Sequence, residues 1–321
     1  MVSGHRNLTI VTHHFVRDLA RSRYPAIKGL DLAVFREQLD YIRKTYTPVT
    51  VQDTVGALRD RTVQLPPNPV LLTFDDGYLD HYTNVFPLLE EFGIQGAFFP
   101  PVGAVMEDRV LRVNKIHFLL ASMSDPEEVS ARMLELVHRY RGSHELPNDD
   151  EYRRRYAVAD RFDLAEVIFI KRLLQKGLPE PVAESVSATL FAEYVTADEA
   201  AFSAELYMSQ PQLKTMIRAG MFVGSHGRNH RWLDTLDPDE QASEVDASLE
   251  FLRSLGAETN DWVMCYPYGG YDQALLKLLR DRSCAMGLSV ELGRADLDTV
   301  DPLVVPRIDT NDILKALPAG A

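Results

Sequence analysis

Three short stretches of this chain place reactive side chains at spacings that chemistry can use. The first is Thr73-Phe74-Asp75-Asp76-Gly77-Tyr78. Its two carboxylates follow an apolar run, Val70 to Phe74, so they stand at the C-terminal end of an expected strand, where α/β barrels put their chemistry. Neighbours on an extended chain point to opposite sides. One carboxylate can therefore hold a metal while the other reaches a water on it. Gly77 permits a sharp turn and close substrate approach; a plain Asp-Asp-Gly turn between strand and helix is the bland alternative. The second stretch is Ser225-His226-Gly227-Arg228-Asn229-His230, a loop expected to open into a helix. Two imidazoles four residues apart can converge on one metal. The chain has nine histidines, which at random would give roughly a quarter of one such pair, so the spacing alone is weak and a core or surface role is the ordinary fate of either ring. Together with the Asp75-Asp76 pair, however, they offer one carboxylate and two imidazoles, a facial set for zinc or another first-row divalent metal with positions left open for water and substrate. The third stretch is Cys265-Tyr266-Pro267-Tyr268-Gly269-Gly270-Tyr271-Asp272, a strand ending in Pro-aromatic-Gly-Gly. Such a loop presents backbone N–H groups that can face an oxyanion, and its tyrosines suit stacking on a sugar ring. A strand-end turn with core tyrosines is the alternative.

Strand-like runs alternating with amphipathic helices carry these motifs. Leu8 to Thr12 reads as a buried strand, and Leu32, Phe35, Leu39 and Ile42 recur at helical spacing between Asp31 and Lys44. Thr47 to Val51 is β-branched and strand-like, and Pro66 to Pro69 is a turn. A helix to Phe92 closes on Gly93, and Gly96 to Phe99 is the next strand. The alternation resumes at Ser209, which caps a helix expected through Arg218 before Gly220. Met221 to Gly224, Trp262 to Tyr266 and Ala285 to Val290 read as strands. Between them stand helices from Asp237 to Leu255, closed by Gly256, and from Gln273 to Arg282. Repeated strand–helix units imply parallel pairing and an α/β barrel or doubly wound sheet. From about residue 104 to 208 the alternation stops, and helices are expected over Asn114–Met123, Pro126–Tyr140, Asp163–Gln175 and Pro181–Tyr194, with a polar loop at Gly142–Asp150. This stretch reads as a helical insertion, 104–208, within a single domain spanning 1–321, with a separate domain as the second choice.

Composition narrows the function classes. The chain has 321 residues, 45% hydrophobic and 25% charged, which is ordinary globular usage. A net charge of −13 gives no electrostatic footprint for nucleic acid or an anionic membrane. No run is long and apolar enough for a membrane span, and the N-terminal apolar run is too short for a signal-peptide core. Cys265 and Cys284, the two cysteines, lack a disulfide-framework pattern. A cytoplasmic location is the expectation.

The three motifs, in this order, resemble the polysaccharide deacetylase family (carbohydrate esterase family four, the NodB-homology domain). That family carries T-F-D-D-G, then H-S/T-x-x-H, then R-x-P-Y-G on a distorted barrel of about seven strands. The resemblance covers roughly residues 8 to 103 and 209 to 310 and leaves the insertion outside. It implies a distorted (β/α)7 barrel and hydrolysis of an acetamido group on a sugar. Matched motif by motif, it makes Asp75 the general base, Asp76, His226 and His230 the metal ligands, and the Tyr268 backbone N–H an oxyanion donor. Gly269 and Tyr78 join Tyr268 as substrate or oxyanion contacts. Zinc is the first choice of metal, with nickel, cobalt or manganese as alternatives.

The chain departs from the family pattern at three places. Gly227 stands where the family has Ser or Thr. Cys265 stands where it has the Arg that holds the catalytic Asp, so Arg307 in Val305-Pro306-Arg307-Ile308-Asp309 is the candidate replacement. The late leucine–histidine motif that supplies the acid is missing, since no His follows His230. Thr12-His13-His14-Phe15-Val16 resembles the Y-H-x-V element of deacetylases acting on glucosamine polymers, which makes His14 the acid candidate and puts His13 at the Tyr position; packing at the barrel rim is the alternative for both. A histidine titrates near neutrality, as a recycling acid must. Asp309 and Asp312 read as a polar chain end, Cys265 as a buried cysteine rather than a ligand, and His81 and His117 as structural or surface residues.

The expected enzyme removes an acetyl group from an intracellular nucleotide- or lipid-linked sugar. The alternatives are an amidohydrolase on a small cyclic ureide or formamide, and a non-catalytic carbohydrate-binding barrel. The insertion is expected to serve as a lid, a homo-oligomer surface, or both.

Overall fold

The structure, a computed structural model, describes residues 6–159 and 163–313. In chain order its strands are β1 (Asn7–His13), the two-residue pieces β2 (Val16–Arg17), β3 (Leu30–Asp31) and β4 (Thr47–Pro48), then β5 (Pro69–Asp75), β6 (Gly96–Phe99), β7 (Phe222–Val223), β8 (Val263–Cys265), β9 (Met286–Leu292), β10 (Ala295–Asp296) and β11 (Val305–Asp309). Seven of them run parallel in the order β7-β6-β5-β1-β11-β9-β8. The two ends of that order meet. Ser225, just past β7, bridges Met264 of β8 in parallel, with Ser225 N–H donating to the Val263 carbonyl at 2.9 Å and Cys265 N–H to the Ser225 carbonyl at 2.8 Å. The result is the distorted (β/α)7 barrel, closed through its shortest strand.

Two-residue alternation sorts the barrel's side chains into two cores. Leu8, Ile10, Leu71, Ala97, Val263, Leu288 and Val305 share one. Val11, Val70, Leu72, Phe74, Phe98 and Met264 share the other with the surrounding helices. The helix Leu32–Thr45 supplies Phe35, Leu39 and Ile42 to that second core, each fully or almost fully buried. Such burial stabilises by on the order of 2 kcal/mol per side chain. Asp31 caps this helix, and Asp237 caps Pro238–Leu255 in a reciprocal box with Glu240. Gly93 and Gly256 end their helices in the left-handed conformation, as expected.

Several sequence expectations give way to local competition. Only Thr47–Pro48 of the expected strand Thr47–Val51 pairs; Thr50 and Asp53 form a capping box that starts a helix at Val51–Arg59. Capping satisfies two donors at once and outweighs the β-branched bias there. The helix after the first motif begins as a π-helical turn, His81–Val85, before Phe86–Phe92. The end of the expected polar loop Gly142–Asp150 starts a helix instead, because Asn148 caps Asp149–Tyr156.

The chain forms two compact units, one of Met1–Asp18, Gly29–Asp108 and Ala204–Ala321, the other of Leu19–Lys28 and Arg109–Ser203. The second unit is helical and has its own core, including Ile116, Met133, Phe169, Leu173 and Val186. Its buried Lys115 pairs with Glu184 at 3.0 Å and Glu199 at 3.1 Å. Tyr24, in the short segment, packs edge-on against Phe118 at 5.0 Å. Among the described residues no helix is long and apolar enough to cross a membrane.

Candidate active site

On β5, Leu71, Thr73 and Asp75 share a face; on β11, Val305 and Arg307 share one. That parity brings Asp75 against Arg307, although 232 residues separate them. Arg307 Nη1 donates to Asp75 Oδ1 at 3.0 Å, and Nη2 lies 2.9 Å from Oδ2. The same guanidinium donates to Thr73 Oγ1 at 3.2 Å and to the Ser289 carbonyl at 3.1 Å. Thr12 Oγ1 adds a bond to Asp75 Oδ2 at 3.3 Å. Burial alone would push the Asp75 carboxyl up; the Arg307 charge, helped by His226 and His14, holds it well below the usual carboxylate range. The pair is buried, bidentate and further hydrogen-bonded, which are the conditions under which a buried ion pair holds. The guanidinium thus reaches Asp75 from β11, while Cys265 on β8 is a buried thiol whose pKa burial raises.

Asp76 diverges from Asp75 by a turn, not by the pleat the sequence suggested. Its φ is 73° and that of Gly77 is 71°, so two successive residues are left-handed. The Asp76 N–H donates to the Phe99 carbonyl at 3.1 Å. A Cβ at Gly77 would stand 2.7 Å from Pro100 Cβ, which reserves the position for glycine. Holding Asp76 there costs about 1–3 kcal/mol. Tyr78, expected to meet substrate, is fully buried and donates its hydroxyl to Asp76 Oδ2 at 2.6 Å while its ring stacks on Phe15 at 3.8 Å. It faces the core because the turn folds its ring inward, and it acts on the carboxylate.

The other oxygen, Asp76 Oδ1, lies 3.2 Å from His230 Nε2 and 3.4 Å from His226 Nε2. His226 Nδ1 sits 2.7 Å from the Cys265 carbonyl. A carbonyl only accepts, so Nδ1 carries a proton and Nε2 is the nitrogen that faces Oδ1. Burial alone would lower the His226 pKa, but Cys265 and the Asp76 and Asp75 carboxylates raise it well above the usual value, so this site favours a positive charge beside Oδ1. Asp76 Oδ1 is buried with no hydrogen-bond partner. The three donor atoms lie within 4.8 Å of one another. Donors on a tetrahedral zinc at ~2.0–2.1 Å are ~3.3–3.4 Å apart, and the two spacings to Oδ1 match. Asp76, His226 and His230 therefore fit a divalent metal. A second grouping, Asp75, His226 and Cys265, also lies within 4.8 Å, but Arg307 already pairs its carboxylate and burial keeps its thiol protonated.

The loop carrying the two histidines does not open into a helix. Gly227 has φ 71° and His230 φ 52°; a 3-10 turn at Leu233–Thr235 follows, and the next α-helix starts at Pro238. Two left-handed residues break the helical run, and convergence comes from the loop.

His13 and His14 separate by strand parity. His14 continues the Thr12 face, half exposed, with Nε2 4.0 Å from Asp75 Oδ2. His13 lies on the opposite face, stacked on Phe74 at 4.7 Å and edge-on to Phe35 at 5.5 Å. Burial lowers its pKa to about 4. His81, read from the sequence as a structural or surface residue, is fully buried and lowered to about 4 by burial; its Nε2–H donates to the His14 carbonyl at 2.8 Å. Asn84 holds the Val16 carbonyl at 2.9 Å, and Arg17 Nε donates to Asp80 at 2.7 Å. No local signal in the sequence announces these fastenings.

In the third motif Tyr268 is left-handed, φ 56°, and its ring stacks on Trp232 at 4.7 Å with 7° between planes. It meets His230 edge-on at 4.5 Å. Trp232 was not singled out from the sequence; its place two residues after His230 is the signal that could have found it. The Gly269 N–H donates to the Tyr266 carbonyl at 2.9 Å, so that donor belongs to the turn and Gly269 drops out as an oxyanion contact. Asp309 caps a turn at Asn311 N, 2.8 Å away.

Comparison with known proteins bears on this geometry. The family model described as polysaccharide deacetylase matches residues 62–133 and 182–286, more than half of the chain. A poly-beta-1,6-N-acetyl-D-glucosamine N-deacetylase of Escherichia coli is 35% identical over 102 residues, which is 31% of this chain and 14% of that relative's length. Among solved structures, IcaB from Ammonifex degensii has a TM-score of 0.57 at 20% identity, covering 97% of this chain and 95% of that one. The Streptococcus pyogenes deacetylase PplD in complex with acetate has a TM-score of 0.56 at 17% identity, covering 98% and 93%. At these identities the two structures speak for the fold.

Proposed function

This chain belongs to the polysaccharide deacetylase family, and we propose that it is a metal-dependent hydrolase that removes the acetyl group from an N-acetylated glucosamine unit of a glycan. The observation that carries the reading is the pair of imidazole nitrogens facing Asp76 Oδ1 at 3.2 and 3.4 Å beside a second carboxylate held by arginine. Asp76, His226 and His230 hold the metal, zinc first. Bound there, it supplies Lewis acidity toward the amide carbonyl and toward water. Asp75 takes the proton of the attacking water. Arg307 holds the Asp75 carboxyl well below the usual carboxylate range, which keeps it ionised and able to accept that proton. His14, 4.0 Å from Asp75 Oδ2 and open to solvent, is placed to hand a proton to the leaving amine. The Tyr268 backbone N–H faces the developing oxyanion, and the Trp232–Tyr268 stack offers an apolar face to a sugar ring.

The poly-N-acetylglucosamine relative supports a glycan substrate over the nucleotide- or lipid-linked sugar expected from composition. The experiment is acetate release from N-acetylglucosamine oligomers, with nucleotide-linked N-acetylhexosamine as the second probe and divalent metal assayed in the same preparation. Asp75→Asn is expected to retain metal and lose at least ~10²-fold in kcat, and His14→Gln to lose ~10²–10⁴-fold. Asp76→Ala is expected to lose metal and turnover together. Release of ammonia or formate from a small ureide or formamide, with no acetate from either sugar, would reject the proposal.

A further inference from the structure

The loop from Ser225 to His230 carries two of the three candidate metal donors, yet beyond the bridge at Ser225 it belongs to no helix or strand. Its backbone is pinned from two sides. The carbonyls of Gly227 and Arg228 accept from the N–H groups of Val102 at 3.1 Å and Gly103 at 2.8 Å. The N–H groups of Arg228 and Asn229 both donate to one carboxylate oxygen, Glu244 Oε2, at 2.6 and 2.9 Å. Asn229 Nδ2 donates to the other, Oε1, at 3.1 Å. Glu244 comes from the helix Pro238–Leu255 and is 4% exposed. A carboxylate placed there is costly unless donors surround it, and bonds to an ionised acceptor are roughly twice as strong as neutral ones. The loop's shape is fitted to this group. Gly227 is left-handed, and a Cβ on it would lie 3.2 Å from Glu244 Oε2. Glycine at that position both permits the turn and clears the space the carboxylate occupies.

We propose that Glu244 is a positioning residue of the metal centre: by holding the Arg228 and Asn229 amides it sets the spacing of His226 and His230 around Asp76. This rests on reading Asp76, His226 and His230 as the metal ligands. The Glu244 carboxylate bonds Arg228 and Asn229 and not the donor atoms of that set, so it acts through the loop backbone.

The test uses the full chain as Glu244→Ala, Glu244→Asp and Glu244→Gln, with Asp237→Ala, which removes the N-cap of the same helix and bonds neither Arg228 nor Asn229 in the structure, as the structural control. Two quantities are read: amide hydrogen exchange at Arg228 and Asn229 in chelator-treated protein, and the zinc dissociation constant by competition. Glu244→Ala should speed exchange at both amides and weaken zinc ~10–100-fold, the usual range for a supporting partner of a metal ligand. Glu244→Asp keeps the charge but shortens the reach, and should weaken zinc ~10-fold even where the alanine variant does not fold. Glu244→Gln keeps an oxygen for both amides and should stay within about fivefold of wild type. Asp237→Ala should lower Tm and leave zinc affinity within about twofold. Unchanged exchange in Glu244→Ala or Glu244→Asp overturns the proposal, as does unchanged zinc affinity, or an equal loss in Asp237→Ala. A wild-type chain that takes up no divalent metal sinks the metal reading instead; the brace is then decided by exchange alone, surviving if Glu244→Asp speeds it and Glu244→Gln restores it.

Discussion

Asp75 ends a seven-residue strand, Asp76 follows it, and both are gripped by side chains, Arg307 on the first and Tyr78 on the second. His226 and His230 sit on a loop without regular structure and are gripped through its backbone, by Glu244 and by the amides of Val102 and Gly103. The carboxylate half needs its partners for charge: a buried anion must be neutralised or hydrogen-bonded. The imidazole half needs its partners for shape, since its loop has no ladder or helix to hold it and Gly227 and His230 must be kept left-handed. Mutations on the two sides should therefore separate charge effects from geometric ones.

The largest expected effect is on the carboxylate half. Arg307→Met leaves Asp75 buried without its partner, and loss of one member of such a pair costs about 3–5 kcal/mol. Chemical denaturation should show that loss. Removing the guanidinium also raises the Asp75 pKa, so the acid limb of the kcat/KM profile should move to higher pH. Zinc affinity should stay near wild type; if it falls as far as activity does, the two halves are one unit and the contrast is wrong.

Acid should reach the same half next. His13 and His81 pack around Phe74 and titrate near 6.5 unfolded but about 4 in the fold. Between those values the unfolded chain binds more protons, so stability is fully present above pH 6.5 and falls as the pH is lowered toward 4. At pH 5 each ring accounts for about 2 kcal/mol. Comparing unfolding free energies at pH 7.5 and 5 in wild type and His13→Phe should show the slope reduced by about half; an unchanged slope would mean that other groups set it.

Tyr78→Phe is the smallest of the three and crosses between halves. It strips one 2.6 Å hydrogen bond from the buried Asp76 carboxylate. The expected cost is about 1.5–3 kcal/mol of stability, with zinc weakened ~10-fold. The kcat of the zinc-saturated variant should change little, because the hydroxyl faces the core and not the substrate.

Much of this site was legible because strand ends are. An apolar run ending in Asp75-Asp76-Gly77 says where the chain leaves the sheet, and period-two alternation, applied from Thr12, separates a core His13 from a site-facing His14. Arg307 was legible as a candidate from its missing counterpart at position 265, though nothing near it in sequence points to Asp75. Tyr78 and Gly269 were misplaced for a common reason. Both lie in tight turns, where φ decides which way a side chain or an N–H points, and residue type does not fix φ at Asp76 or Tyr268. Glu244 was passed over because it bonds backbone groups of another segment, and backbone groups carry no sequence signature.

By itself the sequence determined the strand–helix alternation, the set of ligand-type residues and the left-handed caps, since each depends on local spacing or on one residue's conformational range. Tertiary structure alone decided that β11 lies beside β1, so that Arg307 meets Asp75 across 232 residues, and that a helix glutamate holds the histidine loop. The physical reason is that these contacts form between segments brought together only when the barrel closes, and their geometry is set by strand order and register, not by the residues flanking them.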